Sequence, residues 1–309
     1  MAGVKLEWEN GEIKRARALL ARARERAGTE RVYMKSALLE REAGDFKTAL
    51  ALLKEGLGKS TRFVKYYLMG AQICWEDLED GAKARQWVQR GLGVLEEDVR
   101  LWCYSAKLEE ESGGGVGKAR GVLELARLKV KGKEGEDRAW VESVRLEKRN
   151  GNEGGAERMM AMALQACVGS GLLWSENIRM SKRTEQKSKS MDALKQCNDD
   201  CRVVTAVAGL FVSERKYEKA RKWFMRATVL NPEFGDGWAM YYLFEKGEGK
   251  GGEEKLKQLL DKCVKAEPKY GDLWQAISKK TENRRKSVEE RLGMVVEELM
   301  KRNAVARAS

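Results

Sequence analysis

Apolar residues recur three or four positions apart through most of the chain, a spacing that places them on one face of an α-helix. In the first segment, for example, Ile13, Ala16, Leu20, Ala23 and Ala27 share one face. No strand-like alternation of apolar and polar residues competes seriously with this period. The pattern therefore predicts an all-α protein.

One short segment occurs twice. Residues 231–238, Asn-Pro-Glu-Phe-Gly-Asp-Gly-Trp, return at 267–274 as Glu-Pro-Lys-Tyr-Gly-Asp-Leu-Trp, and self-similarity at such a period indicates a repeat protein. Proline ends one helix, glycine permits a tight turn, and Asp236 or Asp272 can cap the helix that begins near the tryptophan. Each copy predicts a helix end, a turn and a helix start.

The tryptophan position can be followed through the chain. It is occupied by Tyr33, Tyr67, Trp102, Trp140, Trp174, Val204, Trp238 and Trp274. A mostly small residue follows four positions later, and an alanine follows 16 or 17 positions later at Ala49, Ala84, Ala119, Ala156 and Ala220. Bulky residues of one helix would then face small residues of another. We therefore expect a right-handed α-solenoid of helix-turn-helix repeats.

The repeats predict one continuous domain over residues 1–303. It would contain a truncated first repeat at 4–27 and about eight complete helix pairs, at 30–57, 62–93, 98–130, 136–167, 171–197, 200–230, 234–266 and 270–303. The polar run Ser181–Ser190 predicts a loop, with only Met191–Cys197 left as the second helix of that pair. Residues 304–309 predict a frayed tail. Because the first repeat starts inside a helix, we expect an artificial start or a missing upstream segment.

Composition narrows the function classes. The formal net charge of +12 favours acidic partners, either RNA or an acidic protein surface. The chain has no histidine, which removes the commonest general base and metal ligand. Its six cysteines are scattered as in a reduced intracellular core. The longest nearly apolar run, Val203–Val212, is too short to span a membrane. We expect a soluble protein without cofactor, small-molecule substrate or membrane contact.

Two motifs could suggest small-ligand chemistry, and both are weak. In the segment Gly113–Lys118, Ser112 stands where a phosphate-binding loop requires glycine, and Ala119 replaces the hydroxyl that would hold magnesium. Cys197 and Cys201 could supply two thiolates, but a structural zinc ion needs four ligands. We predict no catalytic, cofactor-binding or metal-binding residues.

A carboxylate often follows the aromatic position by seven residues, two helical turns later. It occurs at Glu40, Glu109, Glu147 and Glu245, with Glu7 at the same site of the truncated unit. A carboxylate on this face should be paired, because burying it alone is costly. We expect Arg17 to pair with Glu7 and Arg120 to pair with Glu109, in a structural role.

A basic strip is predicted on another face of the first helices. Positions two before, five after and eight after the aromatic supply Arg31, Arg41, Lys65, Arg100, Lys107, Arg138, Arg145, Lys148, Arg179, Lys182 and Arg202. First helices usually line the concave surface of such stacks, and a cation in the first turn does not favour the helix. We predict that the strip docks an acidic or phosphate-bearing partner; an ordinary solvated face is the alternative.

The aromatic, the glutamate seven residues later and the Ala-Arg pair of the second helix resemble HAT repeats, a class related to TPR repeats. Segments 172–176, 190–197, 235–239 and 266–274 are more specific. They resemble the C-terminal repeat region of the pre-mRNA-processing factor 6 family, and the resemblance extends from about Val4 to Arg302. Cys74, Ser181, Phe211 and Thr281 replace the glutamate, and Val204 replaces the aromatic.

The resemblance implies a non-enzymatic nuclear scaffold that bridges the particles of the spliceosomal tri-snRNP through contacts with other snRNP proteins, with possible RNA contact in the assembly. The family's N-terminal region is absent here, so this chain could not bridge the particles alone. The alternative is a basic solenoid that binds RNA or acidic peptides directly in another RNA-processing complex. Steep salt dependence would favour RNA binding.

Overall fold

The computed structural model describes residues 2–111, 114–247 and 252–308, and apart from one isolated backbone bridge their regular secondary structure is helical. A π-helical turn, Ile73–Asp77, follows α5, and a 3₁₀ turn, Thr281–Asn283, precedes α18. The α-helices in these ranges are α1 Ala2–Glu9, α2 Ile13–Arg26, α3 Glu30–Glu42, α4 Phe46–Lys59, α5 Val64–Gln72, α6 Gly81–Leu92, α7 Val99–Glu111, α8 Gly115–Lys129, α9 Glu136–Arg149, α10 Glu153–Ala166, α11 Gly171–Met180, α12 Arg183–Gln196, α13 Cys201–Ser213, α14 Tyr217–Leu230, α15 Gly235–Gly247, α16 Glu253–Ala266, α17 Asp272–Ser278 and α18 Val288–Ala308.

The helices form two compact units, Met1–Ala161 and Met162–Ser309. In the first unit, α1 packs on α2, α3 on α4, α5 on α6 and α7 on α8, and each pair contacts the next one along the chain. In the second unit, α13 packs on α14 and α17 on α18, while α15 contacts both α16 and α18. Each unit is thus a stack of helix pairs. The single continuous domain over residues 1–303 stays a prediction.

Two predicted boundaries differ from those of the helices in the structure. The segment Ser181–Ser190 belongs mostly to α12, a full helix that contacts both α11 and α13. A few small residues are sufficient for this packing. Ala193 is fully buried, and Ser190 can also be buried because its hydroxyl donates a hydrogen bond to Gln186 O at 2.6 Å within the helix. The last helix, α18, continues to Ala308, through most of the predicted frayed tail.

Small residues do receive bulky ones, as the spacing predicts. A Cβ placed on Gly70 would lie 2.5 Å from the Trp87 ring, and one on Gly56 would lie 2.7 Å from the Tyr66 ring. Trp87 faces Gly70 within one helix pair, whereas Tyr66 faces Gly56 of the preceding pair. Such close approach of a ring to backbone is possible only at glycine. The same device therefore fixes packing within repeats and between them.

Side chains at the aromatic position also hold the connector before their own helix. In five repeats the indole N–H or phenol O–H donates to a backbone carbonyl six residues earlier. The bonds run from Tyr67 to Thr61 at 2.8 Å, Trp102 to Glu96 at 2.7 Å, Trp174 to Val168 at 2.7 Å, Trp238 to Pro232 at 2.8 Å and Trp274 to Pro268 at 2.9 Å. The periodicity indicated a packing role for these residues. Their role as hydrogen-bond donors carries no separate sequence signal.

The two proline-containing connectors lie side by side. Gly235 N donates to Tyr270 O at 2.7 Å, and Phe234 and Tyr270 form the isolated parallel bridge. Asp236, predicted to cap its own helix, instead accepts hydrogen bonds from Trp274 N at 2.7 Å and Leu273 N at 3.2 Å. Its carboxylate thus caps α17 of the following repeat. The expectation of a cap on α15 was wrong, because that helix already begins at Gly235.

Three glutamates of the aromatic face, Glu40, Glu147 and Glu245, bind arginines from the preceding repeat. The expected pairs, Arg17 with Glu7 and Arg120 with Glu109, were therefore wrong. The observed bonds are Arg17 Nη2 to Glu40 Oε2 at 2.6 Å, Arg120 Nε to Glu147 Oε1 at 2.6 Å and Arg221 Nε to Glu245 Oε1 at 2.7 Å. In each case the second helix of one pair reaches forward to the first helix of the next. The structural role is as expected, but it joins repeats.

Candidate partner-binding surface

The predicted basic strip lies mainly on the first helices of the pairs. Ten of its eleven members lie on α3, α5, α7, α9, α11 and α13. The exception is Lys182, because α11 ends at Met180 and Lys182 immediately precedes α12. Eight members belong to the first compact unit, and Arg179, Lys182 and Arg202 belong to the second.

Arg41 is enclosed by acidic groups. Its Nε donates to Asp77 Oδ2 at 2.6 Å and its Nη2 donates to Glu76 Oε2 at 2.8 Å, so that its side chain is only 8% exposed. The π-helical turn after α5 carries both acceptors. Burial alone would lower the pKa of Arg41, but the hydrogen bonds to Asp77 and Glu76 raise it. Arg41 therefore joins two repeats and offers little surface to a partner.

Five further members of the strip lie near a carboxylate close to them in sequence. These pairs are Arg100 with Asp98 at 2.5 Å, Lys107 with Glu111 at 3.8 Å, Arg145 with Glu142 at 3.3 Å, Arg179 with Glu176 at 4.0 Å and Arg202 with Asp200 at 3.7 Å. Arg138 also interacts with a neighbouring group. The carboxylates give this surface a mixed charge rather than a continuous positive one.

Four members remain open. Arg31, Lys65, Lys148 and Lys182 are exposed, and none forms an ion pair within residues 2–111, 114–247 and 252–308. Three of them belong to the first unit: Arg31 lies on α3, Lys65 on α5 and Lys148 on α9. These side chains are the members of the strip whose charge is available to a partner.

A second set of arginines extends two turns beyond the inter-repeat ion pairs. Arg24 Nη1 donates to Ser36 Oγ at 2.8 Å, and Arg127 Nη1 donates to Ser143 Oγ at 2.6 Å. Arg24 follows Arg17 by seven residues, as Arg127 follows Arg120. Sequence reasoning did not predict these arginine–serine contacts, although the repeated seven-residue spacing was a usable signal. They form a second contact between consecutive helix pairs.

The weak small-ligand motifs have structural roles or lie partly outside the described residues. Cys197 and Cys201 are buried free thiols, and burial raises the pKa of Cys201 to about 11. No group of three or more potential metal ligands occurs in the described part of the chain. Ser112 and Gly113 lie outside it, while Gly115–Lys118 begin α8 directly after a helix. None of the described helices is long and apolar enough to cross a bilayer.

Comparison with known proteins accounts for the repeats. A family model described as PRP6, TPR-like domain, matches residues 61–293. The chain belongs to the PRP6 family. Helix pairs stacked within each unit agree with the TPR-like description of that family, and the prediction of an all-α helical-repeat solenoid is confirmed.

Curated relatives of the PRP6 family support the same assignment. Pre-mRNA-splicing factor prp1 of Schizosaccharomyces pombe is 36% identical over 95% of this chain and 32% of its own length. Protein STABILIZED1 of Arabidopsis thaliana is 44% identical over 94% of this chain and 28% of its own length. Human pre-mRNA-processing factor 6 is 43% identical over 33% of this chain and 10% of its own length.

The chain spans less than a third of the length of each of the two relatives that it matches almost completely. The predicted resemblance to the C-terminal repeat region of pre-mRNA-processing factor 6 is confirmed in its family assignment. Two of these relatives carry names that describe a pre-mRNA-splicing factor and a pre-mRNA-processing factor.

Proposed function

We propose that this chain is a non-enzymatic scaffold segment in pre-mRNA splicing. It would act in the nucleus and contribute protein–protein contacts that hold the spliceosomal tri-snRNP together. The observation that carries the proposal is the arrangement of the strip: exposed cations on successive first helices, interspersed with carboxylates, on a stack of PRP6-family repeats.

The use of the ionisable groups supports a scaffold rather than an enzyme. Glu40, Glu147 and Glu245, the buried carboxylates on the aromatic face, are each bound by an arginine of the preceding repeat. A general acid or base needs an open position and a pKa suited to proton transfer. Arg120 instead lowers the pKa of Glu147 by hydrogen bonding, and the carboxylate stays charged. These groups stabilise the contact between helix pairs.

The mixed charge of the strip favours a protein partner over RNA. An RNA backbone presents a phosphate at every nucleotide and is bound best by an unbroken run of cations. Here Asp98, Glu111 and Glu142 lie among the cations of α7 and α9. A protein surface can place acidic groups opposite Arg31, Lys65 and Lys148 and leave the carboxylates facing basic or polar groups.

The proposal is tested by capture from nuclear extract. The tagged full chain is incubated with extract, with and without nuclease, and the bound proteins are identified by mass spectrometry. We expect snRNP proteins to be retained after nuclease treatment. Loss of every snRNP protein on nuclease treatment would favour the second candidate, direct RNA binding, which the net charge of +12 supports. Absence of snRNP proteins from both samples would contradict the scaffold role.

A charge-reversal variant tests the strip itself. Arg31→Glu/Lys65→Glu/Lys148→Glu should reduce retention of at least one snRNP protein about tenfold or more, since like charges across an interface oppose binding. Lys47→Glu/Lys54→Glu/Lys118→Glu is the matched control, because it makes the same change in net charge at exposed positions of the second helices. Equal retention by both variants would show that the strip is an ordinary solvated face.

A further inference from the structure

A small open cavity lies between α2 and α3, at the contact of the first two repeats. Its volume is about 330 Å³. The residues that line it include Arg17, Leu20, Arg24, Ser36, Leu39 and Glu40. Leu20 and Leu39 are each 1% exposed and form an apolar floor, whereas the charged groups are at the wall. The cavity is large enough for one or two amino-acid side chains.

The two arginines of this cavity differ in how their charge is balanced. Arg17 binds both oxygens of Glu40, with Nε to Oε1 at 2.9 Å and Nη2 to Oε2 at 2.6 Å. Arg24 has a single hydrogen bond, to Ser36 Oγ at 2.8 Å. Within the part of the chain that the structure describes, no carboxylate lies within ion-pair distance of Arg24. The cavity therefore presents one uncompensated cation.

Ser36 holds Arg24 in this position. Its hydroxyl donates to Val32 O at 2.9 Å, so that its oxygen is left to accept from Arg24, and Ser36 itself is 2% exposed. A guanidinium has five N–H donors, and the described residues accept only one of those of Arg24. The remaining donors are available to a planar anionic group, which an arginine binds through two parallel hydrogen bonds.

The equivalent position in the fourth inter-repeat contact of this unit, between α8 and α9, is built differently. Arg127 also donates to a buried serine, Ser143, but its guanidinium lies 4.8 Å from the centre of the Trp140 ring. Stacking on an aromatic face partly offsets the desolvation of such a cation. At the first contact the corresponding aromatic is Tyr33, and the cation over its ring is Lys59, at 5.0 Å. Arg24 thus keeps its donors free where Arg127 is covered.

We propose that the cavity between α2 and α3 binds an acidic side chain of a peptide segment from a protein partner, with Arg24 as the residue that recognises the carboxylate. A neighbouring apolar side chain of the same segment would contact Leu20 and Leu39. A phosphodiester chain fits less well, because the Glu40 carboxylate and the apolar floor lie beside the single open cation. This inference rests on the proposed protein-scaffold function and names the chemistry of one partner segment.

The test uses the full chain and two short fluorescein-labelled peptides, one of alternating leucine and glutamate and one with glutamine in place of each glutamate. Binding is measured by fluorescence anisotropy. We expect the acidic peptide to bind about tenfold more tightly than its amide counterpart, a factor typical of a charge-assisted pair. Arg24→Gln should remove this preference, and Arg24→Lys should retain part of it. Arg127→Gln, the matched control, should leave it unchanged.

Helicity and the urea midpoint of each variant show whether it is folded, so a loss of binding can be assigned to the lost cation. No preference of the wild-type chain for the acidic peptide would overturn the proposal, as would equal loss in the Arg24 and Arg127 variants. An oligouridylate that binds more tightly than the peptide and depends on Arg24 would assign the cavity to nucleic acid instead. Capture of snRNP proteins without peptide preference defeats only the cavity proposal, and peptide preference without capture defeats only the scaffold proposal.

Discussion

Arg221 of α14 and Glu245 of α15 form a two-point ion pair between consecutive repeats. The Nε and Nη2 atoms of Arg221 donate to the two carboxylate oxygens at 2.7 and 3.1 Å. The Glu245 side chain is only 1% exposed, and Lys255 approaches it at 3.4 Å. A buried carboxylate of this kind depends on its cation, because an unpaired buried charge is strongly destabilising.

Loss of that cation should therefore destabilise the second unit. Arg221→Leu is expected to lower the free energy of unfolding by about 3 kcal/mol, with Lys255 limiting the loss. Urea unfolding followed by circular dichroism provides the measurement. Arg302→Leu is the control, since its pair with Glu298 is exposed and should contribute less than about 1 kcal/mol. The double variant Arg221→Leu/Glu245→Leu should be more stable than Arg221→Leu; if it is less stable, the buried charge is not the cause.

Glycine at a ring contact should not tolerate a methyl group. Gly70→Ala would place a Cβ 2.5 Å from the Trp87 ring and is expected to cost about 2 kcal/mol through overpacking. Gly121→Ala is the matched change in an open helical position with no atom within 4 Å, and it should stabilise the chain by about 0.5 kcal/mol. Urea midpoints of the two variants should move in opposite directions. Equal midpoints would contradict the assigned role of the ring contact.

The indole hydrogen bond of Trp274 should contribute more than packing alone. Trp274→Phe leaves the buried carbonyl of Pro268 without its donor, which should lower the free energy of unfolding by about 2 kcal/mol. Trp102→Phe makes the same change where the hydrogen bond to Glu96 O is exposed and water can replace the donor. The Trp274 variant should therefore lose clearly more stability in urea unfolding. A larger loss at Trp102 would count against this explanation.

The ion pair of Glu147 should make stability depend on pH. Hydrogen bonding by Arg120 lowers the pKa of Glu147, although burial opposes the shift. A carboxyl whose pKa is lower in the folded state contributes stability above its unfolded pKa of about 4.3 and loses that contribution as pH falls through the folded value. The stability difference between wild type and Glu147→Gln should thus be constant near neutral pH and shrink below about pH 4. Urea midpoints across this range measure it, and a difference that grows in acid would refute the assignment.

The sequence was sufficient to predict the helix pairs because each repeat carries its own aromatic and small residues at fixed spacing. It was insufficient for α12, whose surface is polar and whose helix is supported by contacts with α11 and α13. It also misassigned Asp236, because a side chain near a helix start can cap that helix or, as here, one in the next repeat. The sequence pattern within one repeat does not show which groups of the next repeat lie within hydrogen-bond distance.

The arginine–glutamate partners show the same limit, although a signal was present. Spacing along the chain allows Arg17 to meet Glu7 or Glu40, and only the packing of α2 on α3 decides between them. The sequence nevertheless indicates that the arginine pairs with the glutamate of the following repeat. Where the alanine of the second helix is followed by Leu50 or Glu157 rather than arginine, the next repeat carries Cys74 or Ser181 in place of the glutamate. The sequence also predicted the residues of the basic strip. It did not predict the carboxylates that lie near most of these residues.

The forward direction of these ion pairs makes the order of the repeats chemically specific. A repeat that presents one of these buried carboxylates must follow a repeat whose second helix supplies an arginine, and Leu50 stands where no such arginine is available. A shuffled chain in which α4 preceded α9 would leave Glu147 buried against hydrocarbon. A repeat transplanted into another protein of this kind should therefore be stable only when any buried glutamate of its first helix, or of the repeat that follows, has an arginine on the second helix before it.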